Sequence, residues 1–295
     1  MNFKKIKLKD KIEVHDPFLQ INKNDFQNLN IKKELNKNKV ILFENIFKFE
    51  SKIETPTQFE LLKEKDWYDP VSKMITICKN LNLSIVSYKS EHNNSPFVNI
   101  VKMNIEDEIK NIKSKKFMRG HTDGSSHRFP NETHLNNVSI SPDFIILTCL
   151  RNNNTSTKIS FVSEIVKDLT YKEKLILSKP QFISKPQLSY EKWLNPIYPV
   201  SVLHNNFSEI RFSHSKIEAI NNKEANIVLE KLKSIIEKKT FDITLKSGDI
   251  LFINNKKCLH GRGNPGNCIV PEDRWLIRSY GMKNENLING NTNLI

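Results

Sequence analysis

The sequence predicts a mainly β fold with flanking helices, of the α+β class, in which a closed or two-sheet β core carries the helices on its outside. Two observations support this prediction. Short apolar runs of strand length recur along most of the chain, and amphipathic stretches of helical periodicity occur near its beginning and once near residue 230. No internal repeat and no linker-like composition divides the 295 residues, so we expect a single domain, residues 1–295.

The predicted elements fall into an N-terminal part, 1–117, a core, 118–281, and a polar tail, 282–295, that we expect to fray. Each element is assigned from its apolar periodicity and from the polar residues, glycines or prolines that bound it. The N-terminal part contains predicted helices at 24–39, 56–66 and 69–82 and predicted strands at 40–43, 83–88 and 97–103. The core contains predicted strands at 143–150, 157–162, 200–204, 209–212 and 250–253, short helices within 162–177 and one long helix at 217–239.

The net charge of +13 would be typical of a protein that binds nucleic acid or anionic lipid. Here lysines supply most of the positive charge and are spread along the chain without a basic cluster, so we expect neither partner. No stretch is apolar enough to cross a bilayer or to act as a signal peptide, which favours a cytoplasmic protein. The four cysteines are scattered and form no CxxC pair, which argues against a disulfide framework and a cysteine zinc site.

Three side chains form a candidate metal-ligand set. His121 and Asp123 are two residues apart, so on an extended backbone they share one face, and His260 follows the apolar run 250–253. Two histidines and one carboxylate leave open positions on a non-haem Fe(II) ion for a chelating co-substrate and for O2. A His-x-Asp pair alone is a weak signal, since such pairs are common in solvated turns. The third ligand, His260, and the downstream arginines Arg274 and Arg278 strengthen it.

Five segments resemble, in order, the clavaminate-synthase-like branch of the taurine-dioxygenase superfamily, which contains Fe(II)/2-oxoglutarate oxygenases that hydroxylate free amino acids. The resemblance covers Met118 to Gly281, and before it only VILFENI matches loosely. It implies a distorted double-stranded β-helix, a jelly-roll or cupin-like core. The matching segments are HTDGSSH (121–127), PDFIILTCLR (142–151), TKISFVS (157–163), SGDILFINNKKCLHGR (247–262) and EDRWLIR (272–278).

The resemblance also implies a role for individual residues. His121, Asp123 and His260 would bind iron, and Arg274, assisted by the hydroxyl of Thr157, would bind the distal carboxylate of 2-oxoglutarate. Arg278 would hold the α-carboxylate of the amino-acid substrate. Related halogenases carry a small residue at the carboxylate position, so Asp123 favours oxygenation over chlorination.

Two further features concern the substrate. Arginine hydroxylases place two aspartates where this chain has Ser213 and Ser215. Since a buried guanidinium without an acidic partner is costly, we expect a polar neutral or shorter amino acid as substrate. The loop SEHNNSP, 90–96, is a candidate lid or substrate contact, and extra residues around His134 form either a lid element or a plain surface loop.

Two other functions are compatible with parts of the sequence. A cupin-like hydrolase or isomerase could use the same three ligands around zinc, although it leaves Arg274 and Thr157 without a role. A basic module that binds nucleic acid would account for the net charge, although the lysines are scattered.

Overall fold

The structure is a computed structural model. It describes residues 6–8, 12–15, 18–22, 39–50, 54–56, 67–88, 91–92, 95–100, 117–135, 138–187, 195–264, 274–289 and 292–294. The predicted helix at 24–39 and most of the predicted helix at 56–66 lie outside these residues.

A large sheet forms one side of the molecule. Its strands lie in the order β1-β2-β3-β4-β14-β8-β16-β5-β17, and β6 also pairs with β16. All pairs within it are antiparallel except β3 with β4. The strands are β1 (Ile6–Leu8), β2 (Ile12–His15), β3 (Phe18–Asn22), β4 (Val40–Glu44), β5 (Leu83–Tyr88), β6 (Val98–Ile100), β8 (Phe144–Arg151), β14 (Ile250–Asn254), β16 (Trp275–Lys283) and β17 (Thr292–Leu294).

A second, four-stranded sheet has the order β13-β9-β15-β7. Its strands are β7 (Met118–His121), β9 (Thr157–Phe161), β13 (Phe241–Ile243) and β15 (Cys258–Arg262). The two sheets share a core, because Ile159 and Cys258 of this sheet pack in one apolar cluster with Leu147 and Leu251 of the large sheet. A third, small sheet has the order β11-β10-β12, formed by β10 (Phe182–Ser184), β11 (Ile197–Val200) and β12 (Ile217–Ala219).

Helices cover the outer faces of the two main sheets. Helix α1 (Tyr68–Asn80) packs with the outward side chains of the large sheet, among them Phe252 and Trp275. Helix α4 (Lys223–Lys238) buries an apolar face on the side of the four-stranded sheet. Its buried side chains share one apolar cluster with Leu259 of β15. Two short helices, α2 (Val162–Ile165) and α3 (Tyr171–Ser178), complete that layer. Short 3-10 helices occur at Thr133–Leu135, Val166–Asp168 and Asn284–Asn289.

The prediction of a mainly β protein with flanking helices is confirmed, but several predicted elements differ from those observed. Of the predicted strands at 200–204 and 209–212, only Val200 lies in a strand, at the end of β11, and Leu203 and Ile210 form a single bridge. Residues 217–219 form strand β12, and the long helix begins only at Lys223 because the Asn222 side chain caps it by accepting from the Ala225 N–H. The described part of the tail is not frayed, since Asn284–Asn289 is helical and Thr292–Leu294 pairs with β5. No helix among the described residues is both long enough and apolar enough to span a membrane.

Candidate metal centre

His121, Asp123 and His260 converge at one point beside the four-stranded sheet. His121 ends β7 and lies directly opposite His260 of β15, which brings the ring centroids to 4.4 Å. Asp123 lies just beyond the end of β7, and its Oδ1 is 3.4 Å from His121 Nε2 and 3.8 Å from His260 Nε2. One potential ligand atom from each residue lies within 4.8 Å of the others.

These separations fit a metal ion held by two histidines and one carboxylate. Ligand atoms about 2.1 Å from an ion, on one face of its coordination sphere, are about 3 Å from each other. The two separations from Asp123, 3.4 and 3.8 Å, exceed this spacing by less than about 1 Å, so small movements of the side chains toward an ion would bring them to bonding distance. The donor set of two imidazoles and a carboxylate suits Fe(II) with positions left open.

The orientation of His121 is set by its second ring nitrogen. Its Nδ1 donates to the main-chain carbonyl of Arg119 at 2.9 Å, which directs Nε2 toward Asp123. The Nδ1 atom of His260 is buried and has no hydrogen-bond partner among the described residues.

The electrostatics of the three residues favour a cation. Burial alone would raise the pKa of Asp123, but the hydrogen bond from His121 and the nearby charges of His260 and Arg278 lower that pKa well below its usual range. Burial, helped by the charge of His121, lowers the pKa of His260 to about 3. At neutral pH the site therefore offers an anionic carboxylate and a neutral distal imidazole. Burial alone would lower the pKa of His121, but its hydrogen bonds to Asp123 and to the Arg119 carbonyl raise that pKa, so a metal ion would displace a proton from His121 on binding.

A sharp turn follows Asp123. Gly124 has a φ of +64°, and a Cβ there would lie 3.0 Å from Nδ1 of His127 and 3.2 Å from Cδ of Pro142. Only glycine fits both the backbone conformation and the space. His127 is buried beside Tyr88 with ring centroids 4.5 Å apart. Burial lowers its pKa to about 4.

A charged cluster borders the metal ligands on the side of the large sheet. Arg278 of β16 lies 3.3 Å from Asp123 Oδ2 through Nη1 and donates to Glu91 Oε1 at 2.8 Å through Nη2. The hydroxyl of Tyr280, two residues further along the strand, lies 3.2 Å from Glu91 Oε1 and 3.3 Å from Asp123 Oδ2. Glu91 is 4% exposed. A cation and an anion are thus both buried beside the carboxylate ligand.

Thr157 and Arg262 lie on the same face of the four-stranded sheet as His260. They are direct partners across β9 and β15, and Arg262 is two residues after His260. The hydroxyl of Thr157 is buried and has no hydrogen-bond partner among the described residues. Arg274 immediately precedes β16, is 7% exposed, and its charge lies close enough to oppose the rise in the pKa of the buried Cys149 thiol. An orphaned buried hydroxyl and buried arginines fit the binding of an anionic co-substrate.

The two predicted substrate serines and His134 of the insertion differ in their exposure to solvent. Ser213 is buried at 8% exposure, whereas Ser215 is exposed. His134 lies in the exposed 3-10 helix of the insertion. The insertion contacts the core through Glu132. Both carboxylate oxygens of Glu132 accept from Arg211, which is 2% exposed, at 3.1 and 2.5 Å. The described part of the insertion around Glu132 is therefore held to the core by an ion pair.

Sequence reasoning did not single out four residues that contact the metal ligands or their loop. Glu91 falls in the loop that was predicted to contact substrate, although the residue itself carried no signal. Tyr280 could have been found from its even spacing after Arg278, which puts both on one face of β16. Asn255 and Gln187 hold the backbone around Asp123, and nothing in their local sequence indicates this.

Comparison with known proteins relates the chain to others through structure alone. No sequence profile of a protein family matches it, and no curated protein matches it by sequence. An asparagine oxygenase solved with Fe(II), 2S,3S-3-hydroxyasparagine and succinate superimposes with a TM-score of 0.71 at 16% identity, over 88% of this chain and 79% of that chain. The non-haem iron oxygenase OrfP, solved with Fe, succinate and (3S)-hydroxy-L-Arg, gives 0.71 at 15% identity, over 88% and 80%. The same enzyme with Fe and alpha-ketoglutaric acid gives 0.70 at 16% identity, over 86% and 78%. The chain therefore has the fold of these non-haem iron oxygenases.

Proposed function

We propose that this protein is an Fe(II)/2-oxoglutarate-dependent oxygenase, built on a distorted double-stranded β-helix, that hydroxylates an unactivated C–H bond of a free L-amino acid or a close derivative. The observation that carries the proposal is the meeting of His121, Asp123 and His260 beside the buried pair of Arg278 and Glu91. The oxygenases of the same fold, solved with hydroxylated amino acids and succinate, support it.

His121, Asp123 and His260 would hold the iron, and Arg274 with Thr157 would hold the distal carboxylate of 2-oxoglutarate. When bound, iron and 2-oxoglutarate supply the oxidising chemistry, in which decarboxylation to succinate and CO2 accompanies transfer of one oxygen atom of O2 to the substrate. The chain's own contribution is to orient the target C–H bond and to exclude water. Arg274 offers a planar fork that matches a carboxylate, and the unpartnered Thr157 hydroxyl can add a third hydrogen bond.

Arg278 and Glu91 together match the zwitterionic end of an amino acid. The guanidinium can receive the α-carboxylate, and the Glu91 carboxylate can receive the α-ammonium group. Their 2.8 Å contact places these two charges side by side, and the 3.3 Å contact of Arg278 with Asp123 places both next to the metal ligand. A substrate held by its α-groups would therefore present its nearest side-chain carbons to the iron.

The side chain of the substrate is expected to be polar and neutral, or short. Ser213 and Ser215 stand where arginine hydroxylases carry aspartates, and Ser213 is the buried one of the two. A hydroxyl can bond a neutral amide or hydroxyl group but cannot balance the charge of a buried guanidinium. Arginine is accordingly disfavoured.

The test is to screen the proteinogenic L-amino acids for substrate-stimulated succinate release, with Fe(II) and 2-oxoglutarate present. We expect one or a few polar or short amino acids to stimulate succinate release, and the matching D-enantiomers to fail because, with both α-groups held by Arg278 and Glu91, their side chains would point away from the iron. A metal-dependent hydrolase or isomerase would instead act without 2-oxoglutarate. If no amino acid or close derivative stimulates succinate release by metal-loaded protein, the proposed substrate class is wrong.

Glu91→Gln is expected to lower kcat/KM for the amino-acid substrate by about 10- to 150-fold, because a hydrogen bond to a charged group is worth about 1.5–3 kcal/mol. The loss should appear mainly as a raised KM for the amino acid, with the requirement for 2-oxoglutarate unchanged. Steady-state kinetics with each substrate varied in turn will show this. Glu230→Gln, a change at an exposed helix position, is the matched control. An unchanged amino-acid KM in Glu91→Gln would contradict the role of Glu91.

A further inference from the structure

Asp123 is held by side chains rather than by regular strand pairing. Strand β7 ends at His121, so the main chain of Asp123 lies beyond the sheet ladder. Its N–H donates to Oδ1 of Asn255 at 2.9 Å, and its carbonyl accepts from Nδ2 of the same side chain at 2.8 Å. The Nδ2 group also donates to the Pro142 carbonyl at 3.1 Å. Asn255 is 1% exposed, so these bonds are made away from water.

A second amide holds the residues on either side of Asp123. Gln187 accepts from the Gly124 N–H at 3.2 Å and donates to the Thr122 carbonyl at 3.2 Å. The Thr122 N–H in turn donates to the Phe212 carbonyl at 2.8 Å. The main chain of three consecutive residues is thus held by groups that are distant in sequence.

Asn255 also connects Asp123 to the second histidine. It lies in the turn between β14 and β15, five residues before His260, and its own N–H donates to the Asp143 carbonyl at 2.9 Å. The turn that starts the strand of His260 is therefore the same turn that holds the backbone of Asp123. One buried side chain sets the position of the carboxylate relative to the distal imidazole.

We propose that Asn255 is a positioning residue of the metal site, whose carboxamide fixes the Asp123 main chain so that the carboxylate meets both histidines. The proposal rests on the proposed metal site and goes beyond it by assigning the residue that aligns it. Metal ligands must sit within a few tenths of an ångström of their ideal positions, and groups that orient them contribute about 10- to 100-fold in metal affinity.

The test compares Asn255→Asp with Asn254→Asp, using Co(II) as the probe. Aspartate at 255 can still accept from the Asp123 N–H, but it cannot donate to the carbonyls of Asp123 and Pro142. Among the described residues, the Asn254 side chain acts only as an acceptor, from the N–H groups of Lys256 and Lys257 at 3.1 and 3.0 Å, so aspartate can replace it. Both variants gain the same negative charge one residue apart, which separates the effect of alignment from that of charge.

Asn255→Asp is expected to bind Co(II) about 10- to 100-fold more weakly by calorimetric titration and to alter the visible d–d bands of the bound ion. Asn254→Asp should retain both the affinity and the bands of the unsubstituted protein. The added charge alone would raise the Co(II) affinity of Asn255→Asp, since a carboxylate near the site would tighten cation binding. Equal or tighter Co(II) binding by Asn255→Asp, with unchanged bands, would overturn the proposal.

Two further outcomes are decisive. If the unsubstituted protein does not bind Co(II), the metal site itself is wrong, and the proposal for Asn255 is overturned with it. If Asn255→Asp does not fold, the Co(II) affinity of Gln187→Glu is the deciding measurement. Gln187 is less buried than Asn255, and glutamate at this position loses only the N–H donor to the Thr122 carbonyl. A weaker Co(II) affinity in Gln187→Glu supports alignment of this loop by side-chain amides, and an unchanged affinity overturns it.

Discussion

Asp123→Ala is expected to reduce amino-acid-dependent succinate release by more than about 100-fold, because it removes a direct metal ligand, and even groups that only orient such ligands contribute about 10- to 100-fold. The variant should remain folded. Arg278 keeps its 2.8 Å contact with Glu91, so the change leaves no buried guanidinium without an acid. Succinate release and thermal unfolding, measured on the same preparation, will separate loss of chemistry from loss of structure.

The matched control for Asp123→Ala is Asp242→Ala. Asp242 is an exposed aspartate of β13 that pairs with Lys158 at 2.8 Å, and an exposed pair of this kind is worth about 0–1 kcal/mol. It should leave succinate release and its amino-acid dependence unchanged. Full turnover by Asp123→Ala would show that this carboxylate is not a metal ligand.

Arg274→Ala is expected to raise the concentration of 2-oxoglutarate needed for half-maximal activity by about two to almost four powers of ten. The physical reason is that removal of one partner of a buried charge pair costs roughly 3–5 kcal/mol, and Arg274 is only 7% exposed. The KM for the amino-acid substrate should change little, since Arg278 and Glu91 remain. Kinetics with 2-oxoglutarate varied at saturating amino acid will measure the effect.

Lys231→Ala provides the control for lost positive charge, because Lys231 is a surface cation that pairs with Glu173 far from β16 in sequence. Arg274→Lys adds a second comparison. It keeps the charge and loses the planar fork, so its 2-oxoglutarate requirement should fall between those of the unsubstituted protein and Arg274→Ala. An unchanged 2-oxoglutarate dependence in Arg274→Ala would show that another group binds the co-substrate.

The elements with strong apolar patterns could be predicted from the sequence. The continuous run at 144–151 is buried on both faces of the large sheet, so its composition alone distinguishes it, and the period of helix α1 gave bounds within two residues of those observed. The meeting of His121 and His260 depends on the pairing of β7 with β15, and neither strand is among the predicted elements, so the resemblance rather than the strand pattern indicated it.

The charged and polar groups around the metal ligands could not be predicted in the same way. Glu91 reaches Arg278 from a loop separated from it by 187 positions, and Asn255 reaches Asp123 across 132 positions. Such contacts depend on tertiary geometry and leave no periodic signal in either segment. The tail is a similar case, because its strand β17 forms only where the edge of β5 offers a hydrogen-bonding partner.

The central claim is that one ion and one keto acid bind side by side at His121, Asp123 and His260. The most direct measurement is an anaerobic titration of the protein with Fe(II) and 2-oxoglutarate, followed by visible absorption. We expect a weak charge-transfer band that appears only when both are present, saturates at one equivalent of Fe(II), and is lost in Asp123→Ala. A titration that produces no band, with protein that is folded and free of other metals, would contradict the account.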